Sequence, residues 1–169
     1  MTAAETSAKR NAVTVAPYEL RYLVLAAQRE GNRALNRQLR ECGLTTSQFE
    51  IILVLGQYEP ITLKTLGELI VCETGSPSRI VDALVGRGLI ERGTDEKDRR
   101  AVSLQLTDSG RGMIPMLQTL DKAMDRGAYE ALSAEDLRGL VGALRTYLTG
   151  TESGNTLDRR FNGSRVRLT

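Results

Sequence analysis

A chain of 169 residues is the length of about one domain, and 41% hydrophobic with 26% charged residues supplies a core that needs no disulfide or metal staple. With 23 Lys and Arg against 21 Asp and Glu the net charge is +2, so bulk basicity gives no argument for nucleic acid and any such argument is local. The chain has no His, which excludes Ser-His-Asp and Cys-His catalysis, His-ligated zinc and His pH switching.

Two Cys, at 42 and 72, cannot build a four-thiolate site within one chain. Without an extracellular cue they read as reduced thiols in a cytoplasm. No apolar run approaches the ~18 residues of a membrane span. The start Met-Thr-Ala-Ala-Glu has no secretory pattern, so a cytoplasmic location is expected.

Residues 1–16 are small and polar and read as a flexible arm. Pro17 suits the first turn of a long helix. Leu20, Leu23, Val24, Ala27, Ala34, Leu35 and Leu39 keep helical spacing to about Glu41, and Gly43 stops it. Ser47-Gln48-Phe49-Glu50 has the form of a capping box, opening a second helix to about Leu55 before Gly56 and Pro60 break it. Thr62 is placed to cap a short third helix carrying Leu63, Leu66, Leu69 and Ile70. After a turn at 72–75, Ser76-Pro77 reads as an N-cap and first helical position. The fourth helix, ending near Arg87, puts Pro77, Ile80, Val81 and Leu84 on one face.

The period then changes. Residues 88–92 start a short strand and Val102–Leu106 alternate with period two, around a charged loop at 93–101. Thr107 caps a long helix to about Ala131, with Met113, Ile114, Met116, Leu117, Leu120 and Met124 inward. Ser133 starts a last helix striped by Leu137, Leu140, Val141, Leu144 and Leu148. Residues 150–169, with scattered Gly and Asn, read as a loose tail made basic by Arg159, Arg160, Arg165 and Arg167 against Asp158.

This order predicts a mainly α chain. A winged helix-turn-helix with a two-stranded β-wing occupies 46–107, and flanking helices at 17–45 and 108–149 form a dimerisation region. A helix fits the DNA major groove, where base edges carry a distinct donor and acceptor code. Ser76, Ser78 and Arg79, near the start of the fourth helix and off its apolar face, are candidate contacts to bases and phosphates. Lys97, Arg99 and Arg100 form a basic loop tip suited to a minor groove, with Asp98 orienting a neighbouring Arg. From Pro60 to Thr107 seven basic residues meet seven acidic ones, so DNA binding has to come from placement.

The residues from Leu66 onward resemble the MarR family (multiple antibiotic resistance regulators). Leu66-Gly67-Glu68-Leu69-Ile70 looks like the family's positioning helix. Arg79-Ile80-Val81-Asp82-Ala83-Leu84 with Gly88-Leu89-Ile90-Glu91-Arg92 is similar to its recognition helix and first wing strand. Asp98-x-Arg100-x-x-x-Leu104-x-Leu106-Thr107-x-x-Gly110 matches its wing signature. The likeness spans roughly residues 18–148. It implies a dimeric transcription regulator, commonly a repressor, on a pseudo-palindromic operator, with the terminal helices as the dimer interface. It also implies that Arg79, Ser76 and Ser78 face the major groove and that Arg100 with Asp98 shapes the wing. Two residues depart from the pattern. Glu73 stands where the family usually has Ser or Thr, so the helix is expected to start at Thr74 or Ser76, and Thr74 joins the candidate contacts. Pro77 removes one N–H donor.

Family members often release DNA on binding a small aromatic or phenolic molecule, and Tyr18, Arg21, Tyr22, Met113 and Met116 are the candidate pocket wall here. Others sense oxidants through cysteine, which makes Cys42 and Cys72 candidate thiols, although Glu73 beside Cys72 disfavours a thiolate. No cofactor or metal is expected. A ligand-released repressor, a thiol-sensing regulator and an architectural winged-helix module remain as alternatives. An enzyme is disfavoured, because no nucleophile–base pair or phosphate loop is present.

Overall fold

The computed structural model describes residues 16–71, 76–94 and 102–162. Helix α1 spans Pro17–Leu39, with Pro17 at its first position, and tightens into a 3-10 turn over Arg40–Cys42. Leu44 N donates to Leu39 O and Gly43 N to Arg40 O, the two bonds of a Schellman stop, with Gly43 in left-handed backbone at φ 63°.

Helix α2 spans Thr46–Tyr58 and starts two residues before the expected box. Thr45 is the N-cap: its hydroxyl accepts from Gln48 N at 3.3 Å and the Gln48 side chain accepts from Thr45 N at 3.1 Å. Ser47, expected to lead the box, is instead buried inside the helix. Strand β1 is Ile61–Thr62, and α3 is Leu63–Gly67, capped by the Thr62 hydroxyl on Thr65 N. Then come α4 (Pro77–Gly86), β2 (Ile90–Thr94), β3 (Val102–Leu106), α5 (Asp108–Ala131), α6 (Ala134–Tyr147) and α7 (Glu152–Asn162).

The strands form one antiparallel sheet in the order β1-β3-β2. Ile90 lies opposite Leu106 and Thr94 opposite Val102, as a hairpin requires. The expected two-stranded wing gains a third strand at its root, where Ile61 faces Leu104 and Thr62 faces Ser103. A strand of two residues carries no period, so alternation could not reveal it.

One core holds the helix-turn-helix against α1 and α5. Leu39, Ile51, Ile52, Leu55, Leu66, Leu84, Leu106 and Leu117 are fully buried in it. Each such side chain is worth about 1.5–3 kcal/mol of burial. Thr107 stitches the sheet to α5: its hydroxyl accepts from Gly110 N at 3.1 Å and donates to Gly88 O at 2.6 Å. Ser133 caps α6 in the expected way, on Asp136 N.

Two further findings depart from the sequence reading. Met116 is 42% exposed, because Met113, Leu117 and Leu120 already fill the inner face of α5 and position 116 falls off it. Residues 152–162, read as part of a loose tail, form α7. Its start is capped by the Thr151 hydroxyl on Gly154 N at 3.0 Å, and it buries Thr156. The first turns of α1 and much of α6 carry uncovered apolar groups, with Tyr18 and Tyr147 each 67% exposed. No helix among the described residues is long and apolar enough to cross a membrane.

Candidate nucleic-acid interface

Helix α4 is tied down on three sides, which leaves its leading end outward. Val81 and Leu84 are buried and Ile80 packs at the edge of the core. At the other end Gly88 takes φ 68°, and Leu89 N reaches Leu84 O at 3.0 Å while Gly88 N reaches Val85 O at 2.9 Å. A side chain there would be strained, so glycine lets the chain turn directly into β2.

Two arginines add lateral ties. Arg87 donates to Gly43 O at 2.8 Å, to Cys42 O at 3.2 Å and to Gln48 Oε1 at 3.4 Å. Arg92 of β2 forms an ion pair with Asp82 of α4. Neither arginine was among the expected site residues. The partners of Arg87 at the end of α1 lie 44 and 45 residues away, and no local spacing announces them. The pair at 82 and 92, ten residues apart, was legible only as opposite charges on neighbouring elements.

The leading end of α4 carries the candidate contacts. Ser76 is the N-cap, and its carbonyl accepts from Arg79 N at 3.0 Å while its hydroxyl makes no capping bond. Ser76 and Arg79 are exposed and Ser78 is half-buried. Arg79 is in no ion pair among the described residues. A helix start leaves backbone N–H groups unpaired and carries a partial positive charge. Two serine hydroxyls and a guanidinium stand at the start of this helix, a donor set that fits phosphate oxygens and base acceptors, although Pro77 has no N–H and the Arg79 and Ile80 amides are spent on the Ser76 carbonyl.

Four acids of the lobe are paired among the described residues. Glu50 pairs with Arg160, Glu59 with Arg111, Glu68 with Arg159 and Asp82 with Arg92. Two of these arginines come from α7, so a charge count limited to residues 60–107 leaves out cations that stand against the lobe.

Thr74, Lys97, Asp98, Arg99, Arg100 and Cys72 lie outside the described residues. Of the candidate pocket wall, Tyr18, Arg21 and Tyr22 are exposed on α1, with the Arg21 guanidinium 5.1 Å from the centre of the Tyr22 ring. Tyr22 borders an open hollow of about 420 Å³ with Leu25, Ala26, Arg29, Glu30 and Arg33. Met113 is partly buried against the core, and neither it nor Met116 borders that hollow. Cys42 is half-buried, and its thiol donates to Leu39 O at 3.2 Å.

Residues 44–102 match the family model described as MarR family. The organic hydroperoxide resistance transcriptional regulator of Bacillus subtilis is 31% identical over 134 residues, covering 77% of this chain and 87% of that one. The chain belongs to the MarR family. A mutant MarR from E. coli, solved in complex with operator DNA, superposes with a TM-score of 0.70 at 24% identity over 77% of this chain and 94% of that one. BpsR of Bordetella bronchiseptica, whose DNA binding is regulated by 6-hydroxynicotinic acid, superposes with a TM-score of 0.69 at 19% identity over 76% and 92%. The MarR fold accounts for the winged helix, and the chain is a DNA-binding transcription regulator rather than an enzyme.

Proposed function

We propose that the chain is a repressor that binds an inverted-repeat operator as a homodimer and is released by a small aromatic or phenolic ligand. The leading end of α4 carries this reading: Ser76, Ser78 and Arg79 stand at the helix start, with Arg79 exposed and in no ion pair among the described residues. The uncovered apolar residues of α1 and α6 support self-association, since groups such as Leu23 and Val141 are 58% and 46% exposed in the single chain. A two-fold pair sets two α4 helices in successive major grooves about 34–36 Å apart, which makes the operator an inverted repeat. Thr74 and the wing residues Lys97, Arg99 and Arg100, with Asp98 orienting them, complete the proposed contacts.

The ligand part draws on BpsR, whose DNA binding answers to an aromatic acid. Arg21 and Tyr22, with the guanidinium over the ring, are chemically suited to such an anion. A thiol switch is the second reading, favoured by the hydroperoxide-resistance role in the name of the Bacillus subtilis relative. Cys42 is its focus, because the turn holding that thiol also provides the Cys42 carbonyl that accepts from Arg87.

Selection of bound sequences from a random DNA pool, with and without aromatic acids, tests the proposal. An inverted repeat is expected. Arg79→Ala is expected to lose about 1–3 kcal/mol on the selected site and to relax its base preference. An equal loss on random DNA indicates an architectural module instead. Release by peroxide that vanishes in Cys42→Ser indicates the thiol reading.

A further inference from the structure

Helix α7 reaches back to the helix-turn-helix through contacts among the described residues. Arg160 forms a close ion pair with Glu50 of α2, the two side chains being only 21% and 9% exposed. Tyr58, at the end of α2, donates its hydroxyl to Arg160 O at 2.7 Å. Arg159 stands 3.4 Å from Glu68, the C-cap of α3. Arg145 of α6 pairs with Asp158 at 3.2 Å, which ties α7 to the end of α6. The helix is therefore a strap from α6 to the first two helices of the DNA-binding lobe.

Glu50 carries the strap further. The same Oε1 that meets Arg160 accepts from Val71 N at 3.0 Å. Val71 is the last described residue before the turn that leads into α4. One carboxylate thus joins a cation from α7 to the backbone of the turn. A carboxylate so far out of water needs a fixed partner to hold one orientation.

We propose that Arg160 is a positioning residue for DNA recognition: through Glu50 it anchors Val71, at the root of the segment that leads to Ser76, Ser78 and Arg79. Seating of the strap then sets operator affinity. The consequence for DNA rests on the function proposed above, whereas the strap itself is readable without DNA.

Hydrogen exchange at the Val71 amide, followed in the DNA-free full chain, reads the strap. Arg160→Ala is expected to speed that exchange about tenfold, with Arg160→Lys restoring most of the protection and the exposed-residue control Arg138→Ala leaving it unchanged. On the DNA selected by the unaltered protein, Arg160→Ala is expected to raise Kd about tenfold while Kd on random DNA changes less than about twofold. Tyr58→Phe removes a single hydroxyl and is expected to move both readouts the same way by a smaller factor, so it stands in if the alanine variant does not fold. Unchanged exchange at Val71 in these variants overturns the strap. Faster exchange with an equal loss on both DNAs overturns its role in recognition. A protein that selects no DNA sequence refutes the proposed function, and the Val71 measurement still decides the strap.

Discussion

The guanidinium of Arg87, at the C-cap of α4, donates to the carbonyl oxygen of Gly43 at 2.8 Å and so joins the candidate DNA-reading helix to the end of α1. It also takes the Cys42 carbonyl, so one planar fork serves two oxygens that a helix end leaves without intrahelical partners. Arg87→Ala is expected to lower stability by about 1–2 kcal/mol in urea unfolding, a discounted figure because the site is exposed. Arg87→Lys should recover only part of this, since an ammonium does not span both carbonyls in a fixed plane. An unshifted midpoint for the alanine variant would show that the tie is not formed in solution.

The start of α5 presses on the start of β2. A Cβ at Gly110 would stand 2.1 Å from Leu89 O and 3.1 Å from its carbonyl carbon, and backbone cannot swing aside. Gly110→Ala is expected to cost about 3 kcal/mol, the upper end for overpacking. Gly56→Ala is the matched comparison. There the added carbon meets Ile114 Cδ1 at 2.6 Å, the far end of a flexible side chain, and alanine is the better helix former. Its expected change is within about 1 kcal/mol. Thermal melts that rank the two variants the other way would contradict this packing.

Partial burial pushes the Asp121 carboxyl above its ordinary value, nearby Asp125 pushes it further, and Arg160 pulls it down. With a folded pKa above the unfolded one, the ionised group weakens the fold at neutral pH, and the penalty fades as pH falls through the folded value. Asp121→Asn is therefore expected to be slightly more stable at pH 7, by about a few tenths of a kcal/mol given its exposure, and to lose the advantage in acid. Arg160→Ala should move the Asp121 titration upward in an NMR pH series. A downward movement would place Arg160 away from this carboxylate.

Three helix starts were legible from their polar caps. Thr62, Thr107 and Ser133 sit where the sequence puts them, because an N-cap is a contact between residues three apart. The leading end of α4 was legible through Pro77, whose fixed φ suits a first helical position, although Ser76 makes no side-chain capping bond. Helix α7 was not. Ser153, Gly154, Asn155 and Thr156 are poor helix formers, and the helix is held by partners such as Glu50, 110 residues from Arg160. The Thr151 cap on Gly154 N was its one local signal. The ties of Arg87 and Arg92 were hidden likewise, since a charge in sequence does not say which distant carbonyl or carboxylate it will meet.

Thr107 binds the foot of the sheet to α5 through Gly88 O and Gly110 N, so β2 works as an arm mounted on that helix. From Ile90 to Thr94 the arm is four steps of about 3.3 Å, or about 13 Å. A tilt of about 5° at its mounting carries the far end by about 1 Å, twice the roughly 0.5 Å window within which an N–H···O bond keeps its length. A rocking of α5 by that angle would therefore shift the far end of β2 by about 1 Å while its mounted end stays in place.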